Sequence, residues 1–189
     1  MDKNTKLNNY KLSYQYITDQ FKVIANKSVT IKTIIVGPIE EIDIEKQSRE
    51  NYPILYIEPT GATVNNFIQT FTFNVALLDT FDQNESYLNR NLDNIGDDTT
   101  VSQIHADFTE MRNKILSDSY YTMQLIIASF VQNIKLASWS NAEVDLQMPI
   151  NLTPIATKYD NILYGWTGDF VFTANNQNDL CNFPIVQQT

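Results

Sequence analysis

The chain has 189 residues, 43% of them apolar, which is one ordinary domain's worth of sequence. A single cysteine, Cys181, excludes an internal disulfide and a cysteine-rich zinc site. A single histidine, His105, excludes a two-histidine metal site within one chain. Thirteen basic and 22 acidic residues give a net charge of −9, with only Arg49, Arg90 and Arg112 as arginines. A nucleic-acid backbone needs a positive surface, so direct duplex recognition is not expected. An acidic surface suits solubility, or a path along which DNA slides without sticking.

No apolar run reaches the ~18 residues of a membrane helix. The opening residues Met1-Asp2-Lys3-Asn4 are polar and hold no signal-peptide core, so the expected compartment is a cytoplasm.

Residues 9–25 carry apolar side chains at helical spacing: Tyr10, Tyr14, Ile17, Phe21 and Ile24. They predict an amphipathic helix, capped at Asn8 or Asn9 and ended near Asn26. Residues 29–36 form a β-branched run closed by Gly37-Pro38, which predicts a strand. Residues 39–46 alternate loosely and hold the acids Glu40, Glu41, Asp43 and Glu45. Residues 53–58 predict a second strand, stopped by Pro59 and Gly61.

The strongest strand signal covers residues 67–81. Phe67, Gln69, Phe71, Phe73, Val75 and Leu77 fall on one side; Ile68, Thr70, Thr72, Asn74, Ala76 and Leu78 fall on the other. At ~3.3 Å per residue it would be about 45 Å long, so it is expected to bend or to project as half of a long hairpin with residues 54–57. Residues 79–100 are a polar connection.

Residues 101–135 carry a helical stripe through Val101, Ile104, Phe108, Met111 and Ile115, resuming with Met123, Ile127, Phe130 and Ile134. Thr100 and Gln103 suit a capping box. Ser117-Asp118-Ser119 interrupts the stripe, so the segment reads as one helix or two. Residues 141–147 predict a strand, and residues 149–157, with Pro154 inside, an edge or a loop. Residues 163–173 alternate again, with Tyr164, Trp166, Gly168, Phe170 and Phe172 forming an aromatic face. The order helix, strands, helix, strands predicts an α+β fold: an antiparallel sheet backed by helices, with a long projecting hairpin and an N-terminal helix. One domain is expected, with residues 1–27 as an N-terminal helical segment and residues 28–189 as the α+β core.

Candidate chemistry is sparse. His105, with Asp107 or Glu110, is the one place for acid–base catalysis, and no G-x-S-x-G elbow supplies a nucleophile. Cys181 has no neighbouring base or helix start to lower its pKa and reads as a small hydrophobe. The acids Asp93, Asp97 and Asp98 lack calcium-loop spacing, and no glycine arrangement cradles phosphate. No catalytic residue, metal or cofactor is therefore expected. Long β-structure, 12% aromatics and 21 asparagines without chemistry favour an assembly component.

The stretch KYDNILYGWTGDFVF from Lys158 to Phe172 adds something specific. With Asn178-Asp179-Leu180-Cys181 and Asn182-Phe183-Pro184, it resembles the C-terminal end of bacteriophage tail-completion, tail-terminator or neck proteins. Those read as an aspartate, a short spacer, Gly-Trp, an acid and a strand, then a short Cys–x–x–Pro tail. The matching positions are Asp160, Gly165, Trp166, Asp169 and Pro184. Upstream, residues 52–59, the strand ending at Asp79, Asn84-Glu85-Ser86 and Ile115-Leu116-Ser117-Asp118 resemble further elements of the same group. The Asn- and Ile-rich composition is similar to that of Bacteroides phages, crAss-like ones included.

The resemblance implies an α+β virion protein without catalytic residues, assembled in the host cytoplasm. It also implies a homo-oligomeric ring of six or twelve subunits in the neck or tail. Portal, connector or tail proteins would be its neighbours, and viral DNA would pass through without specific binding. A ring needs head-to-tail interfaces, which a projecting hairpin can supply. The expected interface residues are Ile54, Tyr56, Phe67, Phe71, Phe73 and Val75, and the expected lumen- or partner-facing acids are Glu40, Glu41, Asp43 and Glu45. The alternative is a monomeric adaptor or ligand-binding domain with an aromatic groove of Tyr164, Trp166, Phe170 and Phe172.

Overall fold

The computed structural model describes residues 14–38, 49–65, 67–80, 98–135, 144–158 and 162–175. In chain order these hold helix α1 (Tyr14–Lys27), strand β1 (Thr33–Val36) and a 3₁₀ turn (Arg49–Asn51). Strands β2 (Ile54–Val64) and β3 (Ile68–Thr80) and helix α2 (Asp98–Lys135) follow, then β4 (Asp145–Leu146), β5 (Thr153–Lys158) and β6 (Ile162–Asn175). The fold is α+β, as the sequence predicts.

The strands make one mixed sheet in the order β1-β2-β3-β6, with β4 and β5 both paired to the outer edge of β6. All pairs are antiparallel except β1 with β2. The sheet is therefore mostly antiparallel, as expected, with one parallel pair at that edge. The 17 residues between Val36 and Ile54 are long enough for the crossover that a parallel neighbour needs.

Both helices lie on one face of the sheet. Ile17, Phe21 and Ile24 of α1 and Met123, Ile126 and Phe130 of α2 join Leu55, Ile57, Phe73, Val75, Leu77, Phe170 and Phe172 in one core. Phe21 is its centre. Its ring meets Phe130 at 4.5 Å and Phe170 at 5.5 Å, both edge-on, and Phe73 and Phe172 at 6.0 Å. Edge-to-face and tilted pairs at such distances add to simple burial. The N-terminal helix is thus built into the core, with Tyr14 stacked on Phe73 at 5.6 Å.

The opposite face holds a smaller buried cluster of Tyr52, Ile54, Tyr56, Ala76, Leu78 and Leu163. Residues 54–57 are therefore buried on both faces, which is why Ile-Leu-Tyr-Ile does not alternate. Two groups pin the end of β1. Gly37, at φ 151°, donates its N–H to the Ile57 carbonyl at 3.1 Å, and the Tyr56 hydroxyl donates to the Gly37 carbonyl. A side chain at Gly37 would strain that φ.

α2 is one helix of 38 residues, about 57 Å long. Ser117-Asp118-Ser119 does not break it. Ser117, Ser119 and Thr122 each donate a hydroxyl to the carbonyl four residues back, at 2.6–2.9 Å. Such back-bonding satisfies the hydroxyls within the helix, and this lets Ser119 and Thr122 be buried.

Candidate interaction surface

β2 and β3 run past the core as a hairpin. From Pro59 to Val64 every β2 residue is exposed. The register shifts between Pro59 and Gly61, which marks a bulge, and a bulge sharpens the local twist. β6 accompanies β3 to the tip, with Asn175 opposite Ile68. β1 stops at Val36 opposite Ile57, so among the described residues no strand lies along the outer side of β2 at residues 59–64.

The turn at the tip is held by Asn65. Its Oδ1 accepts the N–H groups of Phe67 at 2.9 Å and Ile68 at 2.6 Å, while its own N–H bonds to the Ile68 carbonyl at 2.9 Å. An asparagine side chain that imitates a backbone carbonyl is a common way to fix a turn. The result is an ordered tip that presents apolar side chains to solvent: Val64 is 63% exposed, Phe67 79% and Ile68 43%.

The interface expectation therefore needs redrawing. Ile54, Tyr56, Phe73 and Val75 are buried in the chain's own two cores, and Phe71 packs partly against the helix-side core. Alternation could not reveal this, because core and interface side chains are alike in chemistry. Only Phe67 stands out into solvent; Val64 and Ile68 are its neighbours there.

The aromatic face of β6 turns toward the helices. Phe170 and Phe172 are fully buried. Trp166 is partly buried and donates Nε1–H to the Leu116 carbonyl of α2 at 2.7 Å, with Tyr120 beside it at 5.1 Å. Gly165 is demanded by packing: a Cβ there would fall on the Leu77 carbonyl of β3. Asp169 points to the helix-free face, where its Oδ1 accepts Nδ2–H of Asn74 at 2.9 Å. Asn74 Oδ1 in turn accepts the Thr167 hydroxyl at 3.0 Å.

The other end of the sheet holds a polar cluster that the sequence analysis did not single out as a site. Asp79 Oδ1 accepts the Thr80 N–H at 2.8 Å. Burial pushes the Asp79 carboxyl above the usual carboxylate range, Asp118 adds to this, and the Thr80 N–H and Lys32 oppose it. Burial also raises the Tyr52 phenol, with Asp79 as a second cause. Among the described residues no group of three or more His, Cys, Asp or Glu is placed to hold a metal, and no helix is long and apolar enough to cross a membrane.

Glu40, Glu41, Asp43, Glu45, Asp160, Cys181 and Pro184 lie outside the described residues. His105 lies on α2, at a position whose side chain is not described. No family model and no curated protein sequence matches the chain.

Proposed function

We propose that the protein is a structural component of a bacteriophage virion. In this reading it forms a homo-oligomeric ring in the neck or tail, at the head–tail connection or tail end, around the DNA channel. The observation that carries the reading is the projecting β2–β3 hairpin with its ordered, apolar tip. A monomer gains nothing from such a tip, whereas a subunit that must grip a neighbour does. The net charge of −9 supports it, because an acidic channel passes DNA without retaining it. The resemblance at Lys158 to Phe172 supplies the phage context.

The competing monomeric adaptor would need an open aromatic groove, and two of its four lining residues, Phe170 and Phe172, are buried. Native mass analysis with electron-microscopy class averages, over a wide range of concentration, tests the proposal. Closed rings of six or twelve are the expected result. A strict monomer that is also absent from purified particles would overturn it.

A further inference from the structure

Charge is spread unevenly along this chain. Its two longest stretches without Asp, Glu, Lys or Arg are residues 59–78 and residues 119–134. Both contribute to the core, and both also bring apolar groups to the surface. The first supplies the hairpin tip. The second supplies an outward stripe on α2, where Tyr121 is 61% exposed and Leu125, one turn on, 48% exposed, with exposed Ala128 continuing the line. Met123, Ile126 and Phe130 turn the other side of the same helix into the core, so the stripe faces away from the sheet.

We propose that these two patches are the halves of one head-to-tail contact: the tip of one copy seats on the α2 stripe of the next. Three features point to a second copy as the occupant. Copies at −9 repel one another, so they associate best through surfaces without charge, and the two patches lie in the chain's two longest charge-free stretches. Each chain carries one tip and one stripe, the pairing a heterologous interface requires. Lastly, a chain cannot bring its own tip onto its own stripe. The tip runs on in the plane of the sheet, and the stripe lies on the far side of a helix about 10 Å thick. Phe67 is the anchor, because an exposed aromatic at the end of an ordered turn is the kind of group that dominates contact energies. The inference rests on the ring reading and names the contact that closes the ring.

Sedimentation of Phe67→Asp, Leu125→Asp and their equimolar mixture tests it. Wild type is expected to form higher oligomers as concentration rises. Each variant should associate at least about tenfold more weakly. The mixture should yield dimers and nothing larger, since one intact tip then meets one intact stripe. Val64→Asp and Tyr121→Asp repeat the test at second exposed positions, with circular dichroism confirming the fold. A photoreactive side chain at position 67 should cross-link between chains to residues 117–132. Rings that persist in both variants would overturn the inference and leave the ring reading standing. Open chains joined tip to stripe would do the reverse. A wild type monomeric throughout, or cross-links confined within one chain, would overturn the inference.

Discussion

Phe21→Ala tests whether the N-terminal helix is part of the core or an attachment to it. The side chain is fully buried and lies within 4.5–6.0 Å of four other aromatic rings. Truncating a buried phenylalanine costs about 3–5 kcal/mol, most where the surroundings cannot collapse. Here Phe130 is fixed by α2, and Phe73, Phe170 and Phe172 by two paired strands, so the cavity stays open and the upper half of that range applies. With a urea slope of roughly 2 kcal/mol/M, the unfolding midpoint should fall by about 2 M. Val29→Ala, at a fully exposed position outside both proposed patches, is the control and should stay within about 0.5 kcal/mol. Urea titration followed by circular dichroism measures both. A loss below about 1.5 kcal/mol for Phe21→Ala would mean that α1 can leave the sheet without disturbing it, and the single-core description would fail.

Asp79 has a folded-state pKa raised above its ordinary 3.8, so its ionised form is penalised in the folded state. Stability should therefore fall as pH rises from about 4 through the raised value, and the loss is complete above it. Asp79→Asn keeps an oxygen for the Thr80 N–H and should remove that part of the pH dependence, seen as a difference between the two unfolding-versus-pH curves. Parallel curves would refute this. Trp166→Phe removes the donor to the Leu116 carbonyl and should cost about 1–2 kcal/mol by urea unfolding. Gly165→Ala sets a Cβ against the β3 backbone and should cost at least about 3 kcal/mol or abolish soluble expression; a variant as stable as wild type would contradict the pairing of β3 with β6.

What the sequence made legible is what alternation and helical spacing encode. β3 and β6 sort their residues to the faces the pattern assigns, and Ile17, Phe21 and Ile24 of α1 turn inward as their spacing requires. Three features escaped. Residues 54–57 are buried on both faces, so their pattern carries no direction, and Ile54 and Tyr56 looked as fit for an interface as for a core. α2 runs unbroken through residues 117–119, where Ser117 and Ser119 satisfy their hydroxyls on carbonyls of their own helix, which composition does not reveal. The third feature, the parallel pairing of β1, is a fact of topology. Glycine behaved differently. Gly165 was noticed only through a resemblance, and its physical reason, the approach of the β3 backbone, appears only once the strands are paired.

The shape of the hairpin also bears on how it would be used. An open strand edge invites addition of another strand along its length, but the edge of β2 is blunted. Pro59 lacks an N–H, and the bulge before Gly61 turns the edge out of register, leaving only residues 61–64 for regular pairing. Long edge-to-edge addition is therefore disfavoured at the part of the hairpin that projects. The tip has the opposite character. Asn65 fixes its turn with three hydrogen bonds, so little order remains to be gained on docking, and its three exposed apolar side chains are grouped within five residues. A hairpin with a blunted edge and a pre-ordered apolar end is suited to insertion, end first, into a neighbour. A ring subunit that must join two others without forming sheets of indefinite length needs that restriction, because edge addition has no natural stop whereas one tip fills one site.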